Sequence, residues 1–209
     1  MGGGVAAAAT FITPPAGTPN LAAAALQAAD LSSTSVAMSQ GYATPPSGFS
    51  AEYDGGFSPA ATASGNQYTQ IIDTIDLAPD AVTATSFFNV ERKQFVSKKG
   101  RKQITHGIIV DAGKKAHLTS SDVKYSQSGS ANIGSDSYIE TITIQFKKKK
   151  LREAVLFYVY NDADVSLVLT GVLGGAVPDS DASSLGTTVL GHLQAVIGAS
   201  GASGTTAAS

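Results

Sequence analysis

Cysteine and tryptophan are both missing from this 209-residue chain, and histidine occurs three times, at His106, His117 and His192. Without cysteine there is no disulfide framework, thiolate metal site or thiol nucleophile. Three scattered histidines are too few for a His-rich metal centre and leave few candidates for a catalytic base. Charged residues amount to 14%, about half the usual share. No apolar run reaches the ~18 residues that a spanning helix needs, so no membrane segment is expected. The first ten residues lack the basic stretch of a secretory leader, and Pro14-Pro15 soon interrupts the apolar run. Ala6 stands where a myristoylation signal needs Ser or Thr. Synthesis and folding without export by the usual route is the expectation.

Catalytic signatures are absent too. Gly-x-Ser-x-Gly does not occur, nor does the Gly-x-x-x-x-Gly-Lys-Ser/Thr phosphate cradle. The aspartates of Asp162-Ala163-Asp164 lack the remaining ligands of a calcium loop and read as a hairpin turn. Asp179-Ser180-Asp181 has the same status. Glu140 and Glu153 are the only acids near the long apolar segments, and nothing pairs them as a glycosidase requires. No enzyme activity, cofactor or metal is expected.

Charge is unevenly distributed along the chain. The formal net charge of −2 hides three blocks. Residues 1–91 hold seven acids and no Lys or Arg, residues 92–152 hold all 14 basic residues against four acids, and residues 153–209 hold five acids and no base. The central block would face an acidic protein surface, bind a polyanion, or pair with the acidic flanks of a neighbouring copy. The plain alternative is a solvated lysine-rich face that guards sheet edges.

Alanine (32 residues), glycine (22) and proline (8) are concentrated toward the ends. Residues 1–66 read as an extended N-terminal arm with one short Ala-rich helix after Pro19-Asn20, over Leu21 to Asp30. Tyr42, Phe49, Tyr53 and Phe57 stand out in this small-residue segment as partner-docking anchors. Residues 67–175 carry the β signals. Tyr68–Leu77, Ala81–Val90, Lys93–Ser97, Gln103–Asp111, His117–Tyr125, Tyr138–Phe146, Leu151–Tyr160 and Val165–Leu173 give about eight strands. Ile142, Ile144 and Phe146 alternate cleanly with Thr141, Thr143 and Gln145. That spacing predicts an all-β fold, an antiparallel β-sandwich or jelly roll. Residues 176–209 form a C-terminal arm. It contains a short helix with Leu185, Val189 and Leu193 on one face and a low-complexity tail over 198–209.

The strongest local signal is Lys147-Lys148-Lys149-Lys150-Leu151-Arg152. With Arg92, Lys93, Lys98, Lys99, Arg101 and Lys102 it makes one basic patch if the turns converge. Such a patch grips phosphates with salt-dependent affinity. The interleaved aromatics of single-strand binders are missing, however, and only three of the 14 bases are Arg. Dedicated nucleic-acid recognition is therefore disfavoured.

Low charge, no cysteine, a β-rich centre (67–175) and Ala/Gly/Ser/Thr-rich arms (1–66 and 176–209) resemble virion structural proteins of tailed bacteriophages, above all head decoration or cement proteins. The resemblance implies a homo-oligomer, often a trimer, that docks on a major capsid protein through its arms and basic face. It also implies a virion location, with assembly in the host cytoplasm. The alternatives are a carbohydrate- or receptor-binding module of a fibre, a coat or tail-tube subunit, and a polyanion-binding β-domain using the lysine run.

Overall fold

A computed structural model describes residues 11–113 and 116–201. The strands are β1 (Gly41–Ala43), β2 (Ala51–Phe57), β3 (Ala60–Ala61), β4 (Gln67–Leu77), β5 (Val123–Gly129), β6 (Asp136–Phe146), β7 (Lys149–Tyr160) and β8 (Ala163–Gly171). They join one antiparallel sheet in the order β1-β2-β4-β8-β7-β6-β5, and β3 pairs with the start of β4. Four helices flank it: α1 (Leu21–Ala24), α2 (Ala81–Val96), α3 (Lys98–Ala112) and α4 (Asp179–Gly201).

Strand alternation gives the sheet two apolar faces. Ile71, Ile75, Leu156, Tyr158, Val165, Leu167 and Leu169 pack under α1 and α4, with Leu185, Val189 and Leu193 of α4. Tyr138, Ile142, Ile144, Val155, Phe157 and Val159 pack under α2 and α3, with Ala84 and Phe88 of α2. The chain is β-rich, but its architecture is helix–sheet–helix. This corrects the expected all-β sandwich or jelly roll, which needs a second sheet where the helices lie.

The strands expected over Ala81–Val90, Lys93–Ser97 and Gln103–Asp111 are helical. Local capping and tertiary packing override β-propensity here. The Asp80 carboxylate accepts from the Thr83 N–H at 2.7 Å and starts α2. Ser97 ends α2 and starts α3, its Oγ accepting from the Gly100 N–H at 3.1 Å. A side chain at Gly100 would collide with the backbone of Gln94, so this tight corner requires glycine. Ala84, Phe88, Glu91 and Phe95 recur at helical spacing along α2 and face the sheet.

The expected boundaries at 66/67 and 175/176 are corrected as well. Strand β2 pairs with β4 from Ala51↔Leu77 to Phe57↔Ile71, so residues 67–175 do not form a separate sheet. Leu21, Ala24 and Ala25 are 0% exposed. Small residues lie flush against the sheet, and the turn of α1 together with the Tyr42 hydroxyl satisfies their backbone, which offsets their modest apolar area. The expected helix over Leu21–Asp30 is one turn of α-helix followed by a 3-10 turn at Ala28–Asp30. Far from being a loose arm, the C-terminal segment forms α4. Asp181 in its first turn accepts from Thr62 Oγ1, Asn66 Nδ2, Ser64 Oγ and Tyr68 Oη, clasping the helix to the β3–β4 connection. Burial works to raise the Asp181 pKa, but these donors outweigh it and hold the carboxylate below its ordinary range. Residues 1–10 and 202–209, which include most of the expected low-complexity tail, lie outside the described residues.

Candidate functional site: a lysine-rimmed groove

The four aromatics expected to anchor a partner serve this chain's own core. Tyr53 is 6% exposed and Phe57 1%. Tyr42 stacks edge-on against Tyr53 at 5.3 Å, donates from its hydroxyl to the Pro19 carbonyl and accepts from the Leu21 N–H. Phe49 is half-buried against Phe87, with ring centroids 4.3 Å apart. They are corrected from docking anchors to internal packing: β1 and β2 carry Tyr42, Tyr53 and Phe57 into the sheet, and Phe49, in the turn before β2, packs on Phe87 of α2.

The expected single basic patch divides. The arginines are engaged internally. Arg92 pairs with Asp136 at 3.5 Å and lies over the Tyr138 ring. Arg101 pairs with Glu140 at 2.8 Å, stacks over Tyr125 and donates from Nε to the Phe95 carbonyl. Arg152 projects on the opposite face of β7 and donates to the Gly175 carbonyl at 2.8 Å. Glu140 is 0% exposed, and Tyr138 donates its hydroxyl to the second Glu140 oxygen. Burial and this bond push the Tyr138 pKa up to about 12.

The lysines are free of such ties. Among the described residues no ion pair involves a lysine, and Lys93, Lys98, Lys99, Lys102 and Lys147 to Lys150 are all exposed. They form two groups. Lys93, Lys98, Lys99 and Lys102 surround the α2–α3 corner, near Glu140. Lys147 to Lys150 cap the β6–β7 turn after Phe146. From Glu140 to Phe146 the strand runs roughly 20 Å, so the sheet does not bring the two groups into one patch.

Three hollows lie beside these groups, the first two sharing Ile109 of α3. Near the corner, Lys98, Lys102, Thr105, Ile109, Val123 and Tyr125 line a cavity of about 470 Å³. Ile109 also borders the next hollow, about 450 Å³, with Val110, His117 and Leu118. At the far end, Ala116, Phe146, Leu173 and Lys147 to Lys149 line a third hollow of about 560 Å³. The corner and far hollows combine an apolar floor with lysines at the rim. Thr105 and Tyr125 share a hydroxyl hydrogen bond of 2.9 Å in the wall. Burial raises the Tyr125 pKa against the opposing pull of Thr105 and Arg101, so the phenol stays neutral.

The histidines are dispersed: His106 lines the corner hollow, His117 the next, and His192 faces Asp30 at 3.7 Å on the other side of the sheet. Among the described residues no group of three His, Asp or Glu side chains is placed to hold a metal ion. No helix of the described residues is long and apolar enough to cross a membrane.

Sequence reading missed the groove floor and the Arg101–Glu140 pair. The signal for the pair was present: Glu140 occupies the same strand phase as the apolar Tyr138, Ile142 and Ile144. An acid in that phase calls for a buried cation.

The sequence matches no family model and no curated protein. A solved structure, the extracellular domain of PknH from Mycobacterium tuberculosis, is similar at 11% identity and a TM-score of 0.40, covering 69% of this chain and 66% of that one. At that level the likeness bears on neither activity nor partners.

Proposed function

We propose that the protein is a non-catalytic structural subunit that self-associates by charge complementarity, as a virion decoration or cement subunit does. The observation that carries this reading is the division of labour among its cations. The arginines are engaged internally, whereas the exposed lysines rim an open apolar groove. The complement is available on the same chain, because its first 91 residues carry seven acids and no base. Of these, Asp54 of β2 is half-exposed on the sheet face that α2 and α3 leave partly open, and Asp80 is exposed just before α2. Docking of this acidic half into a neighbour's lysine-rimmed groove builds a homo-oligomer, such as a trimer, and the same groove fits the acidic surface of a larger shell. Arms play a smaller part than the sequence implied, since residues 11–66 belong to the subunit itself.

Sedimentation velocity on the full chain, at about 50 mM and about 500 mM salt, tests this. Oligomers at low salt that dissociate at high salt, and that disappear when Lys147 to Lys150 are changed to Ser, support it. A monomer at every concentration in low salt overturns it. Salt-dependent retention of duplex DNA by that monomer would favour the polyanion-binding alternative.

A further inference from the structure

A row of carboxylates crosses the sheet beneath α2. Strand register sets Glu52 beside Asp76, Asp76 beside Asp164, Asp164 beside Val159, and Val159 beside Asp136. All five share the face that α2 covers, since each lies in strand phase with Val155, Phe157 and Val159. Helix α2 adds Glu91, at a position of its sheet-facing stripe between Phe88 and Phe95. Asp164 is 4% exposed, and its Oδ1 has no hydrogen-bond partner; neither does Oδ1 of Asp76.

The groups facing this row are almost all acidic. Strand β2 offers Glu52 and Asp54, β4 offers Asp76, β8 offers Asp164, and the β7–β8 turn offers Asp162, whose Oδ1 is also buried without a partner. From β7 comes Val159, with Glu153 farther along the strand and bonded to Thr170. Arg92 of α2 pairs with Asp136 at the β6 end, and Arg101 of α3 is engaged with Glu140. Among the described residues no ion pair brings a cation to Glu52, Asp76, Asp164 or Glu91.

We propose that α2 is seated on the sheet through protons held among Glu52, Asp76, Glu91 and Asp164, so that rising pH unseats the α2–α3 hairpin. Like charges this close cannot all ionise in a low-dielectric layer, and helix displacement is the cheapest relief. The electrostatics agree with the geometry. Burial, then Glu91 and Asp76, push the Asp164 carboxyl up to about 8. Burial, then Glu52, Glu91 and Asp54, push Asp76 up to about 7, and burial alone brings Glu91 to about 7. Glu52 is raised by burial and by Asp54. A folded carboxyl with a raised pKa holds more protons than the unfolded one. Stability is therefore lost as pH climbs from about 4 to about 8 and is constant above that. The inference does not depend on the docking role, although α3 forms one wall of the groove.

Hydrogen exchange on the full chain at about pH 5.5 and about pH 8.5, corrected for the intrinsic rate, tests it. In the wild type, α2 amides lose at least about tenfold protection at the higher pH, while α4 amides keep theirs. In Asp76→Asn/Asp164→Asn, which removes the two central carboxyls of the row and leaves Glu52 and Glu91, the α2 loss shrinks markedly. Equal loss in α2 and α4, or a wild-type response in the double variant, overturns the proposal. Should the double variant fail to fold by circular dichroism, Glu91→Gln decides: a smaller α2 response supports the proposal and an unchanged one overturns it.

Discussion

Under α1 and α4, the buried carboxylates meet hydrogen-bond donors; under α2, they meet one another. Asp181 accepts from four side chains, and Asp73 accepts from the Leu26 N–H at 2.8 Å. Asp73 is met only on one side, its Oδ1 being left without a partner beside Gly55, and burial pushes it up to about 6 despite the Leu26 bond. On the other face, Asp76 and Asp164 each keep one carboxyl oxygen without a partner, the Val165 N–H being the one donor to Asp164, and among the described residues no ion pair brings a cation to them or to Glu91. The contrast teaches that apolar packing alone does not fix how firmly a helical layer is held. Both layers bury aromatic and aliphatic side chains, yet only the α1–α4 layer gives its buried first-turn carboxylate, Asp181, a full set of donors, while the α2–α3 layer relies on two arginine pairs beside a row of unpaired acids.

The Arg101–Glu140 pair is the exception on the α2–α3 face and offers the hardest test of the contrast. Arg101→Ala leaves a fully buried carboxylate without its cation, and urea denaturation should show a loss of about 3–5 kcal/mol. Replacing both partners by apolar residues should recover most of that loss. On the opposite face, Asp181→Ala strips the acceptor from Tyr68, Thr62, Ser64 and Asn66 and should cost about 2–4 kcal/mol by the same measurement. Asp181→Asn should cost less. Asp164→Asn should act in the opposite sense, raising stability by about 1–3 kcal/mol at pH near 8 and leaving it unchanged near pH 4. A destabilising Asp164→Asn at pH 8 would erase the difference between the faces. The smallest effect belongs to the rim: changing Lys147 to Lys150 to Ser should move thermal stability by no more than about 0.5 kcal/mol, since these lysines touch no acid.

How much of this could be read in advance varied with the element. Strands β4, β6, β7 and β8 were legible, because Ile71, Ile75, Ile142, Ile144, Val165, Leu167 and Leu169 keep a two-residue phase over long runs. Helices α2 and α3 were not. Val82, Thr83, Thr85, Phe87, Phe88 and Val90 are residues that strands favour, and the Ala84–Phe88–Glu91–Phe95 stripe includes a charge that disguises its helical period. Thr85 and Ser86 turn their hydroxyls onto the carbonyls of Ala81 and Val82, which absorbs polarity that a strand would display. Residues 11–66 were misread because alanine buries little area per residue, and its fit against a sheet is a tertiary property. The cations of the groove were visible from their run. Their separation was not, because it depends on the helical hairpin that propensity concealed. The carboxylate row depends on pairings between distant strands, and one sequence does not encode those in any local pattern.

The seam between β4 and β8 has a consequence for how the chain is made. Ile75 finds its partner in Val165, 90 residues later. While the polypeptide emerges from the ribosome, β1 to β4 can pair among themselves, but β4 must wait with one edge bare. The later meander from β5 to β8 closes through short connections and can form early. Docking of the two halves then completes the sheet in one late step of high contact order, and during the delay the uncovered Ile71 and Ile75 surface is what a chaperone would hold.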